Sequence, residues 1–214
     1  MRRNRLWVLL FYSSIVLLLN GCVKREIKNI DSKGTNIICF GDSLTFGYGV
    51  GGGEDYPSAL AKMLDIPVIN AGIDGDTSTE ALKRIGSDVL NRKPLLVILE
   101  FGGNDFLRKV PKEVTVDNVR QMVREIQKAG AMVAVVDISA GLFLRDYRIL
   151  LSRIARQDQA IFVPAVLSGI ITDPTMKSDF IHPNGEGYKL IAERIHRAIS
   201  PYLEKQARSK SPKK

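Results

Sequence analysis

The strongest constraint on the fold is a set of five short, nearly all-apolar runs, at residues 36–40, 67–70, 95–100, 132–137 and 160–163. Amphipathic stretches separate them, and these predict helices over 57–65, 77–90, 113–129 and 146–158, with a last helix after Pro183 running to about Ser200. A strand that is apolar along its whole length must be covered on both faces. Strands that alternate with helices pair in parallel. The right-handed crossover rule then gives an α/β domain, a three-layer α/β/α sandwich on a five-stranded parallel sheet. Several boundaries carry their own signals. Thr77 and Glu80 fit a capping box, Pro57 and Pro183 suit a first helical turn, and Gly130 supplies a C-terminal stop. No internal repeat or second domain is visible, and the domain is placed at 36–203.

The chain ends read differently. Residues 1–5 are short and positive, and 6–19 are apolar, a length suited to a signal-peptide core and short for a membrane span. The run closes in Leu19-Asn20-Gly21-Cys22, which resembles a lipobox, so residues 1–21 are expected to be a lipoprotein signal peptide and Cys22 the lipidated residue. An ordinary signal peptide or an uncleaved anchor stays open as an alternative. Each of these readings exports the domain, and the first attaches it by lipid to the membrane of a bacterial cell envelope. Residues 22–35 read as a polar tether and 204–214 as a basic, disordered tail. The formal charge of +8 is inflated by Arg2, Arg3 and Arg5 and by the basic residues of that tail. No basic cluster falls on the predicted elements, which argues against nucleic acid as a partner. Cys39 lies in a predicted strand and reads as a small buried residue. No disulfide framework or metal-site spacing exists, and no cofactor is expected.

Chemistry-bearing residues collect where strands end, the end at which sites of such sheets form. Strand one ends in Gly41-Asp42-Ser43-Leu44, strand two in Asn70-Ala71-Gly72 and strand three in Gly102-Gly103-Asn104-Asp105, and Asp179-Phe180-Ile181-His182-Pro183 precedes the last helix. Each has a plain structural alternative: Ser43 as a helix cap, Asn104 and Asp105 as turn residues, His182 as part of a helix start. A serine hydroxyl becomes a useful nucleophile when a base takes its proton. Histidine suits that task, and a carboxylate that accepts its other ring N–H fixes the tautomer. Asp179, three residues before His182, is close enough to do so. Asp42 is expected to hold the nucleophile turn by hydrogen bonds. His196, inside the last helix, is expected to be structural or solvent-facing.

GDSLTFGYG, the glycine of NAGIDGDTS, GGND and DFIHP, in that order and spacing, resemble the four blocks of the GDSL or SGNH hydrolases, above all the small bacterial thioesterase, arylesterase and lysophospholipase branch. The resemblance covers about residues 36–203. It implies a flavodoxin-like fold and hydrolysis of small esters or thioesters through an acyl-enzyme on Ser43, with His182 and Asp179 completing the triad. It also implies an oxyanion hole made of the Ser43 N–H, the Gly72 N–H and the Asn104 side chain. An O-acetyl esterase acting on envelope glycans is the alternative reading, and a non-catalytic ligand-binding lipoprotein the more distant one. Phe106, Leu107, Leu142, Phe143 and Leu144 fall in loops after the third and fourth strands. They either line an acyl pocket or pack as ordinary loop residues. The protein is expected to act as a monomer. Gly47 to Gly52 satisfies G-x-G-x-x-G, but it lies beyond the end of the first run and before any helix, the wrong place for a dinucleotide. The G-x-S-x-G elbow of the larger α/β-hydrolases is not the pattern at Ser43.

Overall fold

The computed structural model describes residues 26–140 and 144–210. Five strands, β1 (Asn36–Gly41), β2 (Val68–Gly72), β3 (Pro94–Glu100), β4 (Met132–Val136) and β5 (Ile161–Val163), form one sheet in the order β2-β1-β3-β4-β5. Every pairing is parallel. The helices are α1 (Ser43–Phe46), α2 (Tyr56–Ala61), α3 (Ser78–Asp88), α4 (Gly103–Leu107), α5 (Lys112–Lys128), α6 (Arg145–Gln157) and α7 (Gly185–Lys210). No helix among the described residues is long and apolar enough to cross a membrane.

The all-apolar strands are explained by two cores, one on each face of the sheet. Ile37, Cys39, Leu96, Ile98, Met132 and Ala134 point into the core that α2 and α7 cover. Ile38, Phe40, Val97, Leu99, Val133 and Val135 point into the core under α3, α5 and α6. Side chains alternate between faces with a period of two, so burial on both faces leaves no polar position between the ends of β1, β3 and β4; the polar residues, Asn36 and Glu100, stand at strand ends. The strand order reverses between β1 and β3, and the crevice at such a switch point is where ligands bind in open α/β sheets.

Local chemistry sets the boundaries. Thr77 and Glu80 form the capping box at the start of α3. Pro57 lies in the first turn of α2, after an Asp55 cap that accepts from the Ser58 N–H. Pro183 does not lie in a helical turn. It bridges to Lys177, and α7 is capped one residue later by Asn184, whose Oδ1 accepts from the Gly187 N–H.

Two terminal expectations are overturned. The segment before β1 is no free tether from Glu26 onward. Ile27 and Ile30 pack on the core, and Asn29 donates to the Gln127 and Ala131 carbonyls at 2.7 and 2.9 Å. The Lys28 N–H reaches Gln159 O, and Glu26 meets Lys205. At the other end α7 continues through Pro201 to Lys210, so residues 204–210 are helical rather than a disordered tail. The reason is mutual: Leu203 and Gln206 are buried, and the Gln206 amide donates to Ser32 O at 2.9 Å. This stitching gathers at the amino ends of the strands, opposite the switch-point crevice.

Candidate active site

β1 ends at Gly41 and turns at once into the four-residue helix α1, which begins with Ser43. Asp42 makes that turn: its Oδ1 accepts from the Leu44 N–H at 3.1 Å and its carbonyl from the Phe46 N–H at 2.8 Å. The Asp42 carboxyl is buried, and desolvation is the main force raising it to about 6, against the hydrogen bonds from Leu44 and Glu100 that favour its charge.

The loop ahead of α7 brings the second half. Ser178 and His182 close it through a 3.0 Å backbone bond, beside the bridge between Lys177 and Pro183. Inside it, Asp179 Oδ1 accepts from the N–H groups of Ile181 and His182, each at 2.8 Å, and Oδ2 lies 2.7 Å from His182 Nδ1. His182 Nε2 lies 3.1 Å from Ser43 Oγ. Desolvation would raise the Asp179 carboxyl, but the bonds from the His182 ring and the two N–H groups outweigh it and hold the group at about 2. The Tyr48 ring lies against the imidazole with centroids 4.4 Å apart. Gly49 lets that loop approach: a Cβ there would stand 2.1 Å from Ser178 Oγ, and its φ is +84°. The glycine run that imitated a dinucleotide motif thus serves to pack one site loop on another.

Asn104 sits in α4 and lines the same crevice, with Nδ2 donating to Asp76 O at 3.1 Å. The neighbouring Asp105 is buried and ties the start of α3, through Ser78, to Thr115 of α5. Gly72 departs from the expectation. Its N–H already donates to Asn70 Oδ1 at 2.9 Å, and a Cβ would strike the Phe46 N–H from 2.2 Å, so its Cα packs against α1. It does not face the crevice. The turn that follows does: Asp74 lines it, the Asp76 N–H reaches Ile73 O, and Gly75 has φ +76°. Among the described residues the Gly75 N–H makes no hydrogen bond, while its carbonyl accepts from Arg108.

A cavity of about 540 Å³ opens beside Ser43 and His182. Leu107 and Leu144 line it, as the sequence allowed. Phe106 instead lines an adjoining groove with Leu144 and Tyr147. Leu142 and Phe143 lie outside the described residues. Ile138, Leu167, Ile171, Phe180 and Ile181 complete the apolar wall and were not foreseen. The rule that every loop after a parallel strand converges on one end would have found Ile138 and Leu167. His196 is remote from the crevice, in a groove with Met63 and Pro201.

An activatable serine, an imidazole held by a carboxylate, and an apolar cavity define a serine hydrolase. The family model for the GDSL-like lipase/acylhydrolase family matches residues 39–190, and the chain belongs to that family. Esterase TesA of Pseudomonas aeruginosa is 27% identical over 198 residues, covering 87% of this chain and 98% of its own. An arylesterase of Vibrio mimicus is 32% identical over 178 residues, covering 78% and 89%. The crystal structure of the psychrotrophic esterase EstA from Pseudoalteromonas, solved inhibited by monoethylphosphonate, superposes with a TM-score of 0.70 at 28% identity, covering 79% of this chain and 99% of that one.

Proposed function

We propose that the chain hydrolyses carboxylic esters or thioesters through an acyl-enzyme on Ser43. The observation that carries this reading is the relay Ser43–His182–Asp179, with contacts of 3.1 and 2.7 Å, at the mouth of an apolar cavity. Ser43 Oγ attacks the acyl carbonyl carbon as its proton passes to His182 Nε2. Asp179 holds the ring and supports the imidazolium. The carbonyl oxygen becomes an oxyanion that takes hydrogen bonds from the Ser43 N–H and the Asn104 amide. The third donor assigned to Gly72 from the sequence is reassigned to the Gly75 N–H, on the free N–H and the position of its turn. His182 then protonates the departing alcohol or thiol, and water repeats the sequence to release the acid. The acyl chain lies against Leu107 and Leu144.

The relatives named esterase and arylesterase support this chemistry, and the phosphonate-inhibited neighbour suggests the probe. Wild type should turn over p-nitrophenyl butyrate and take up a fluorescent phosphonate. Ser43→Ala should do neither while its Tm stays near wild type. Labelling or turnover of the variant at the wild-type level would overturn the assignment.

The leader sequence supports a place for this domain in the bacterial cell envelope, held by lipid on Cys22. A fatty-acid analogue fed to expressing cells should label wild type and not Cys22→Ser; equal labelling would refute the anchor.

A further inference from the structure

Beneath the nucleophile turn lies a group that the relay does not use. Glu100 ends β3 directly beside Gly41 of β1 and is 2% exposed. Its Oε2 accepts from Thr45 Oγ1 at 3.0 Å and from the Asp42 N–H at 3.3 Å. Thr45 Oγ1 is in turn 2.9 Å from the Tyr56 hydroxyl. A Cβ on residue 41 would stand 2.6 Å from Glu100 Oε2, so the glycine there makes room for the acid. Glu100 Oε1 is buried with no ordinary donor among the described residues, and the Asp42 carboxyl beside it is as deeply buried.

No lysine or arginine pairs with either acid among the described residues. The nearby guanidinium, that of Arg84, is engaged by Asp76, Asp88 and two backbone carbonyls. The other titratable groups facing the pair are Asp105 of α4, Tyr56 of α2, Tyr188 of α7 and His182. Most of these add negative charge or none. Two adjacent buried carboxylates without a cation are expensive to ionise together, and such pairs retain one proton.

We propose that Glu100 is a positioning residue held as a neutral acid, its proton closing a hydrogen bond to the Asp42 carboxylate. The pair carries one negative charge, and Glu100 fixes the first turn of α1 through Thr45 and the Asp42 N–H, so that Ser43 meets His182. Desolvation first, and the Asp42 charge second, push the Glu100 carboxyl well above its usual range, in agreement with this state.

The inference rests on Ser43 being the nucleophile, and the test separates the two. Infrared difference spectra of wild type against Glu100→Gln at pH 7 report a protonated carboxyl without reference to turnover. The protonated C=O band should be present in wild type and missing in the variant. Glu100→Ala leaves the Thr45 and Asp42 donors unpaired, and should lower kcat about 10–100-fold with KM nearly unchanged. Glu100→Gln, which keeps an acceptor for those donors and an N–H for Asp42, should recover most of that loss. A wild-type spectrum without the band would overturn the neutral acid. A Gln variant as slow as the Ala variant, or a change confined to KM, would overturn the positioning role. Phosphonate labelling of Ser43 failing in wild type would instead remove the proposed function beneath it.

Discussion

Burial and hydrogen bonding pull the acids of this site in opposite directions, and each direction has a sign in stability. Asp42 and Glu100 bind protons more tightly in the fold than in the unfolded chain. Their contribution is therefore most favourable below the ordinary carboxyl range, and it is lost as pH rises through about 6 for Asp42 and beyond that for Glu100. Asp179 is the reverse: its contribution is present above the ordinary carboxyl range and is lost as pH falls through about 2. Thermal melts of wild type and Glu100→Gln between pH 5 and 8 should diverge in favour of the variant as pH rises; parallel curves would show that Glu100 is not perturbed. Within the relay, His182→Ala should be nearly as damaging as Ser43→Ala, and the double variant little worse, because the residues act as a unit. His196→Ala should leave ester hydrolysis near wild type; the reverse ranking of the two histidines in one assay would refute the site. Asn104→Ala should lower kcat about 10²–10³-fold with a smaller change in KM. Side chains that carry chemistry in contiguous blocks, such as Asp179 and His182, were legible in the sequence. The backbone donor proposed at Gly75 was not. That the Gly72 N–H is taken up by the Asn70 side chain depends on where Asn70 turns its amide, and no spacing encodes that.

At the scale of elements, the site is two loops held face to face. One carries Tyr48 and Gly49, the other Ser178 to His182. Gly49→Val adds a side chain into Ser178 at a positive φ, and should lower kcat through the position of His182 while the bulk fold survives. Circular dichroism with ester kinetics would check this, and an unchanged kcat would refute it. The long helices were readable because eleven or more residues display a period. Helices α1 and α4, of four and five residues, display none and exist because the turns around Asp42 and Gly102 close there. The extension of α7 was hidden by Pro201, an interior proline that removes an N–H and ordinarily ends a helix. What overrides it is tertiary: Leu203 and Gln206 are buried against residues that precede β1. Leu203→Ala should accordingly cost about 2–5 kcal/mol in urea unfolding, the range for truncating a buried leucine. A cost near zero would return these residues to the status of a loose tail.

At the scale of the whole molecule, the sheet has two unlike ends. The relay and cavity occupy the carboxyl ends of the strands, and Glu26 to Ser32 are sewn to the amino ends through Gln127, Ala131, Gln159 and Gln206. The six residues of β1 alone separate those ends by about 20 Å. Four residues span the distance from Glu26 back to Cys22 and can reach at most about 14 Å. With lipid on Cys22, the stem is too short to swing the mouth round to the leaflet that holds it. Vesicles bearing the lipidated protein should therefore cleave a fluorogenic ester presented on separate particles or in solution faster than the same ester embedded beside the anchor. With lipid on Cys22, such a short stem would leave the mouth facing away from its own bilayer, toward acyl compounds that arrive across the water.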